Sequence, residues 1–162
     1  MYTPIIGTLA YVIRDGRVLL VHRTARDDDA HLGKYNGLGG KLERDEDAVA
    51  GVRRELAEEA GIEATSIRLR GTISWPGFGR DGEDWFGFVF VVDDFIGEPP
   101  ASNEEGTLHW VRIDDVLSLP LWEGDYTWLP LVFDPAVGQF HGVMPYRDGR
   151  PVGWSVTVLD AG

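Results

Sequence analysis

The segment GKLERDEDAVAGVRRELAEEAGI, residues 40–62, is the most informative part of the chain. Its Ala, Val, Arg, Glu and Leu residues favour a helix from about Asp47 to Ala60, and Gly61 is well placed as a left-handed C-terminal cap. At about 100° per residue, the apolar side chains of this helix fall on one side. They predict a core-facing stripe made by Val49, Val52, Leu56 and Ala60.

A second face of the same helix carries three carboxylates, Glu55, Glu58 and Glu59, at i, i+3 and i+4 spacing. Like charges at this spacing repel, and carboxylates near a helix C-terminus meet the unfavourable end of the dipole. One group that could offset this repulsion is Arg54, four residues before Glu58, in which case the three carboxylates form a solvated acidic face. The other is a hard divalent cation such as Mg²⁺, which prefers a few carboxylates together with water and phosphate oxygens. The helix pattern alone leaves both open.

The whole segment has a more specific pattern. Gly40 and Glu46 are separated by five residues, seven more residues follow, and the run from Arg54 to Ile62 completes G-x5-E-x7-R-E-U-x-E-E-x-G-U, where U is bulky and aliphatic. This is the Nudix box, matched at all nine fixed positions over 23 residues. The chain therefore resembles Nudix hydrolases, a family that cleaves nucleoside diphosphates linked to a further group with a divalent metal, usually Mg²⁺ and alternatively Mn²⁺.

The resemblance implies a fold and a set of roles. The fold is α+β, an αβα sandwich with a mixed β-sheet and the Nudix loop-helix-loop. Metal ligands are expected at Glu55, Glu58 and Glu59, with a backbone carbonyl at Gly39, and Glu55 is the best candidate for helping to deprotonate the attacking water. Arg54 is counted with these catalytic residues, and we expect it to brace the loop against the helix together with Glu46.

The sequence outside the box predicts several strands and two short helices. A hairpin with its turn at Asp15-Gly16 opens the chain, and a mixed sheet packed with helices in an α+β or αβα arrangement follows. The glycine-dense segment 37–40 is expected to be irregular or tightly turned. The strands are expected at Ile5–Ile13, Arg17–His22, Ser66–Trp75, Trp85–Asp93 and Thr107–Ile113, the short helices at Asp114–Leu119 and Asp125–Asp134, and a closing hairpin at Phe140–Tyr146 and Val152–Leu159 around the turn 147–150.

The resemblance extends beyond the box to the MutT branch, in particular to the human MutT homologue, which removes oxidised purine nucleoside triphosphates. It implies that Glu105 is an additional acidic residue near the metals, that Arg23 contacts phosphate, and that Trp122 stacks on the base. Asn36 and Asp125 would hydrogen-bond the base edge. Two further positions join the expected substrate-binding set, Thr8 in the opening hairpin and Lys41 beside the glycines.

Each of these residues also has a plain structural explanation. Asn36 precedes Gly37 and is typical of a turn, Asp125 is typical of a helix N-cap, and Trp122 is typical of a core. Glu105 follows another glutamate in a polar loop and is typical of a solvated carboxylate.

Two features depart from the human homologue. That protein has two adjacent aspartates facing the oxidised base, whereas this chain has Gly124 at the first position and keeps only Asp125. The loop Thr24–Lys34 is also longer and is expected to bring residues 27–29 and His31 to the rim of the pocket. Base recognition is therefore the least constrained part of the prediction, because one buried hydrogen-bonding group alters selectivity strongly.

Composition narrows the class of protein. A chain of 162 residues with 43% hydrophobic residues predicts one folded domain over residues 1–162. Fifteen Lys and Arg against 27 Asp and Glu give a net charge of −12, which disfavours nucleic acid polymers and anionic membranes as partners. The absence of cysteine excludes disulfides, thiol catalysis and thiolate zinc sites. Residues 1–13 lack the pattern of a signal peptide, and a cytoplasmic location is expected.

These observations converge on a MutT-like nucleoside triphosphate pyrophosphohydrolase with 8-oxo-dGTP or a related oxidised purine nucleotide as substrate, acting in nucleotide pool sanitation and hence DNA repair. The alternative keeps the metal chemistry and takes another dNTP, a dinucleoside polyphosphate, ADP-ribose or a nucleotide sugar. A more remote alternative is a non-catalytic, nucleotide-sensing Nudix module. The oligomeric state stays open between a monomer and a homodimer.

Overall fold

The structure is a computed structural model that describes residues 1–161. Its elements are β1 (Ile5–Arg14), β2 (Arg17–Arg23), β3 (Tyr35–Asn36), β4 (Leu38–Lys41), α1 (Ala48–Ala60), β5 (Glu63–Trp75), β6 (Trp85–Ile96), β7 (Gly106–Arg112), a 3₁₀ helix (Ile113–Ser118), α2 (Asp125–Phe133), β8 (Val137–Val143), β9 (Tyr146–Arg147), β10 (Arg150–Pro151) and β11 (Ser155–Asp160). Within this part of the chain, no helix is long and apolar enough to cross a membrane.

Nine strands form one mixed sheet. The main order is β11-β8-β5-β6-β1-β2-β3, with β4 paired to β1 and β7 paired to β2. The β1–β6 and β5–β8 pairs are parallel, and the other pairs are antiparallel. Strands β9 and β10 form a separate small hairpin.

The sheet has a buried core on each face because side chains alternate along its central strands. On β1, Ala10 and Val12 pack with Val52 and Leu56 of α1. Tyr11, between them, points to the opposite face, where the core includes Trp128, Leu129 and Val132 of α2. The arrangement is the predicted αβα sandwich with a mixed sheet.

Helix α1 begins and ends as its sequence predicts. The Asp47 side chain accepts a hydrogen bond from the Ala50 backbone N–H at 2.8 Å and so caps the N-terminus. At the other end Gly61 adopts a left-handed conformation, with φ of 63°, and its N–H bonds to the carbonyl of Ala57. The predicted stripe is correct at Val52, Leu56 and Ala60 and wrong at Val49, which is 38% exposed because Gly51 is the residue of the first turn that faces inward.

The glycine-dense segment differs from the prediction. Instead of an irregular loop, residues 38–41 form strand β4, paired with Gly7–Ala10 of β1. Gly39 makes this possible with a φ of 141° and no side chain, since a Cβ there would collide with the backbone carbonyl of Thr8. Glycine permits this close backbone pairing, which the composition of the segment did not reveal.

The end of the chain also differs from the prediction in detail. The turn at residues 147–150 belongs to the two-residue hairpin of β9 and β10, whereas the main pairing joins β8 to β11 with Ser155 opposite Val143. The β9–β10 hairpin is inserted between the two long strands. Its first residue, Tyr146, is buried.

A buried arginine anchors the end of α2. Arg70 of β5 is 5% exposed, and its guanidinium donates to five backbone carbonyls at distances of 2.8 to 3.1 Å. These carbonyls belong to Leu131, Val132, Asp134, Val137 and Gly138. The last carbonyls of a helix lack hydrogen-bond donors within the helix and carry partial negative charge. An arginine at this end donates hydrogen bonds to them and also neutralises part of that charge.

Replacement of Arg70 by Ala should lower the free energy of unfolding by about 3 kcal/mol, because several buried carbonyls lose their donor. The matched control is Arg68→Ala on the same strand, where a more exposed arginine pairs with Asp93 and the loss should stay below about 1 kcal/mol. Urea denaturation of the three proteins measures both values. Equal losses would show that Arg70 does not hold α2.

Candidate active site

A cleft of about 230 Å³ opens where β1, β4 and the start of α2 meet. It brings together seven of the predicted site residues, which are far apart in sequence. Aromatic side chains form much of the remaining wall, among them Trp75, Phe78 and Tyr146. The predicted residues that line the cleft are Thr8, Arg23, Asn36, Gly39, Glu105, Trp122 and Asp125.

Two carboxylates of α1 lie against the glycine end of this cleft. Glu59 accepts a hydrogen bond from the backbone N–H of Gly39 at 3.3 Å. The Glu55 carboxylate lies over Gly40, where a Cβ would come within 2.6 Å of it. Burial, a hydrogen bond with Glu55 and the charge of Glu105 raise the pKa of Glu59 to about 9. Three acidic groups therefore crowd one partly buried position.

Glu58 occupies a different position from its two neighbours. Its side chain is 60% exposed, and its carboxylate lies 3.4 Å from a guanidinium nitrogen of Arg54. Arg54 also contacts Glu55 at 2.9 Å and makes two hydrogen bonds to Glu46, at 2.6 and 2.9 Å. A further bond to the carbonyl of Lys41 joins the helix to β4. Arg54 thus braces the loop, as predicted, and hydrogen bonds to this guanidinium lower the pKa of Glu46 to about 2.

The donor set fits a hard divalent cation. Within residues 1–161, no three acidic or histidine side chains already form a closed metal cage. Mg²⁺ does not need one, since it typically takes one or two protein carboxylates and completes its shell with water and substrate phosphate. Such an ion would relieve the crowding of the Glu55 and Glu59 carboxyl groups, with Glu58 at the exposed side and Gly39 in the adjoining strand.

Arg23 and Glu105 lie together in the cleft. The two side chains form an ion pair at 3.2 Å, and the Arg23 Nε also donates to Asp29 at 2.8 Å. Glu105 is therefore not a freely solvated carboxylate. Thr8 is buried in β1, 3.4 Å from the Gly40 carbonyl. Lys41 is exposed and outside the cleft lining, with its ammonium 5.6 Å from the centre of the Trp85 ring at the rim.

The other end of the cleft contains an enclosed acid. Asp125 is the first residue of α2, and the N-cap position of this helix is Gly124, so Asp125 is not the N-cap. Burial raises its pKa to about 7, although the charge of Lys34 and the indole of Trp128 act in the opposite direction. The Trp128 Nε1 is itself buried with no hydrogen bond of good geometry. Buried polar groups without partners are uncommon in folded proteins.

Trp122 forms one wall of this end. Its ring packs edge-on against Phe78 with 5.5 Å between ring centres, and the Lys34 ammonium lies 5.0 Å from its centre. Its indole N–H donates to His31 Nδ1 at 2.7 Å. The same imidazole nitrogen lies 3.3 Å from the side-chain nitrogen of Asn36. The loop Thr24–Lys34 therefore reaches into the cleft itself, whereas the sequence led us to expect it only at the rim.

Gly124 has no side chain for a structural reason. A Cβ at this position would collide with the sulfur of Met144 and lie 2.7 Å from the hydroxyl of Tyr146. Burial, followed by the neighbouring charges of Asp125 and Glu123, raises the pKa of that hydroxyl. Tyr146 was not predicted as a site residue, because only the inserted β9–β10 hairpin brings it to the cleft. Trp75 and Phe78 were missed for the same kind of reason, since nothing local in their sequence marks them as cleft residues.

Comparison with known proteins shows the family of this chain. The NUDIX domain model matches residues 3–132. The oxidized purine nucleoside triphosphate hydrolase of Danio rerio is 33% identical over 132 residues, which covers 82% of this chain and 81% of that protein. The CTP pyrophosphohydrolase of Escherichia coli is 48% identical over 118 residues, or 72% of this chain and 82% of that protein.

Among solved structures, the MutT protein of Bacillus halodurans superposes with a TM-score of 0.80 at 27% identity, covering 94% of this chain and 97% of that one. The extent of the domain match and the two relatives show the family, and this superposition shows the same fold. The chain belongs to the Nudix family and is a hydrolase of the MutT type.

Proposed function

We propose that this chain hydrolyses a nucleoside triphosphate to the monophosphate and pyrophosphate, with 8-oxo-dGTP or a related oxidised purine nucleotide as substrate. One observation carries the proposal: a single cleft joins the α1 carboxylates, through Gly39, to the enclosed acid Asp125. The α1 carboxylates suit a polyphosphate with its cation, and Asp125 suits a polar edge of a base. The relatives named for oxidized purine nucleoside triphosphates support this choice.

In this proposal, Glu55, Glu58 and Glu59 would hold Mg²⁺ together with the backbone carbonyl of Gly39. The Glu105 carboxylate would lie near the ion. When bound, the ion would neutralise the polyphosphate and lower the pKa of a water molecule. Glu55 is the proposed general base for the attacking water. Arg54 orients Glu55 and Glu58 by its contacts to both.

Arg23 is the proposed phosphate contact. Its Nε and Nη1 face Asp29 and Glu105, so the guanidinium is fixed in the cleft wall and its Nη2 remains for a phosphate oxygen. Lys41 contributes positive charge from the rim. Thr8 supports the site from β1, where it lies beside Gly40.

Base recognition is assigned to Asn36, Trp122 and Asp125. Near neutral pH the carboxyl of Asp125 is present in both protonation states, so it offers either a donor or an acceptor to a base edge. Trp122 supplies a flat aromatic surface. The neighbouring hydroxyl of Tyr146 occupies the space that a side chain at position 124 would need.

A second candidate substrate is a pyrimidine triphosphate such as CTP. It is favoured by the 48% identity to the CTP pyrophosphohydrolase and by the missing carboxylate at Gly124. Both candidates use the same carboxylates and release pyrophosphate, so only the base distinguishes them.

Steady-state kinetics with Mg²⁺ should separate these candidates. Across 8-oxo-dGTP, 2-oxo-dATP, the canonical triphosphates, ADP-ribose and diadenosine polyphosphates, we expect kcat/KM to favour an oxidised purine triphosphate by about tenfold or more, with pyrophosphate resolved as product. A preference for CTP would select the second candidate. A preference for ADP-ribose or a dinucleoside polyphosphate would contradict both.

The carboxylates of α1 can be tested one at a time. Glu58→Gln and Glu59→Gln should each lower kcat by about 100-fold or more while the fold is retained, since each removes a charge that holds the cation. The control is Glu43→Gln, an exposed carboxylate that also faces Arg54, at 3.7 Å, and lies outside the proposed ligand set. Near-normal activity in Glu58→Gln would remove Glu58 from that set.

The enclosed acid should make stability depend on pH. The folded protein holds the proton of Asp125 up to about pH 7, whereas the unfolded chain releases it near the ordinary value of 3.8. Folding therefore loses stability as pH rises between these values. Urea denaturation should show Asp125→Asn gaining stability relative to the original protein from pH 4 to pH 7 and levelling off above.

The exposed Asp115→Asn variant controls for the loss of one carboxyl charge. A gain for Asp125→Asn that is the same at pH 4 and pH 8 would show that this carboxyl is solvated. The proposal that Asp125 is an enclosed carboxyl that hydrogen-bonds the base would then be wrong.

A further inference from the structure

The loop Thr24–Lys34 is fastened to the cleft by its own contacts. Asp29 accepts hydrogen bonds from the Arg23 Nε at 2.8 Å and from the backbone N–H of His31 at 2.9 Å. At the end of the loop, the Gly33 N–H bonds to the Arg23 carbonyl at 2.7 Å. These bonds hold the His31 side chain in the cleft wall, where the Nudix box assigns it no role.

The contact with Trp122 determines the protonation state of His31. An indole N–H can only donate, so the Nδ1 of His31, 2.7 Å away, must be the accepting, unprotonated nitrogen. The ring proton is then on Nε2. The charged groups around the ring are Arg23, Asp29 and Lys34, and burial, followed by the positive charge of Arg23, lowers the pKa of His31. A neutral imidazole is consistent with both the contact and its surroundings.

This protonation state also orients Asn36. The side-chain nitrogen of Asn36 lies 3.3 Å from the same Nδ1 and shares its lone pair with Trp122 as the weaker donor, whereas a carboxamide oxygen at this place would be repelled by that lone pair. The carboxamide must therefore turn its NH₂ toward His31. Its oxygen is the end that remains for a ligand, so Asn36 presents an acceptor to an N–H donor of the base.

We propose that His31 is a positioning residue for base selectivity: it fixes the Trp122 ring and turns the Asn36 oxygen toward the substrate. The inference rests on the proposed function in that the ligand is a nucleobase with an N–H donor at the edge facing Asn36. It adds a residue of the extended loop to the recognition of that base.

The contact itself can be tested without substrate. The indole N–H signal of Trp122 in a ¹H–¹⁵N spectrum is identified by its loss in Trp122→Phe. In His31→Ala it should shift upfield and exchange faster with water, because its acceptor is gone. In the original protein it should also move as pH falls below the ordinary histidine value of 6.5 and the imidazole takes up a proton. In His31→Asn, which keeps an acceptor at the δ position, the pH-dependent movement should be absent.

Kinetics test the consequence for the base. His31→Ala should raise KM for the preferred triphosphate by about tenfold while kcat changes by less than about twofold, since the phosphate end is untouched. His31→Asn should recover most of the loss. His109→Ala is the matched control, because His109 is an exposed histidine of β7 outside the cleft and bonds Thr107.

The two tests separate the inference from the proposed function. If the indole signal of Trp122 is the same in His31→Ala as in the original protein, the positioning role is overturned whatever the substrate is. The role is also overturned if the signal shifts while KM stays unchanged, or if His31→Asn behaves like His31→Ala. Failure of the original protein to cleave any triphosphate would contradict the proposed function, and the indole signal would still decide whether His31 holds Trp122.

Discussion

The close approach of backbone at Gly39 and Gly40 is the constraint on which the candidate site depends. On one side of this strand a Cβ at Gly39 would meet the carbonyl of Thr8, and on the other a Cβ at Gly40 would meet the carboxylate of Glu55. Strand β4 therefore lies directly between β1 and helix α1. The Gly39 N–H reaches Glu59 only because of this approach. A side chain at either position would separate the helix that holds the carboxylates from the strand that lines the cleft.

Charge on α1 is balanced in two different ways. Arg54 contacts Glu55 and Glu58, so the offset expected of a solvated acidic face is present for these two residues. It has no such contact with Glu59, which is buried between Glu55 and Glu105 and has a raised pKa. The two explanations that the helix pattern left open are therefore complementary. Arginine stabilises the outer part of the acidic face, whereas the inner part holds crowded carboxyl groups that a bound divalent cation would bring to the charged form.

Sequence patterns predicted the local elements and the parts of the site that share one helix. The C-terminal cap of α1, the first hairpin and the long central strands follow from propensity, periodicity and turn residues, and the Nudix box located the carboxylates. Strand β4 was missed because glycine-rich composition is typical of loops, and only the close pairing with β1 shows why glycine is needed. Tyr146 was missed because its position depends on how the β9–β10 hairpin packs against Gly124. Contacts between distant segments leave no local pattern in one sequence.

The two ends of the cleft are built from separate parts of the chain, so the base that is bound can change independently of the phosphate chemistry. The phosphate end depends on α1 and β4, whose geometry is fixed by glycines and by Arg54. The base end is assembled from the loop Thr24–Lys34, the start of α2 and Tyr146, with Gly124 making room for Tyr146 and Met144. Changes in the segments of the base end can alter which base fits while the carboxylates stay in place. Relatives of similar fold with names for oxidized purine nucleotides and for CTP are what such a division predicts.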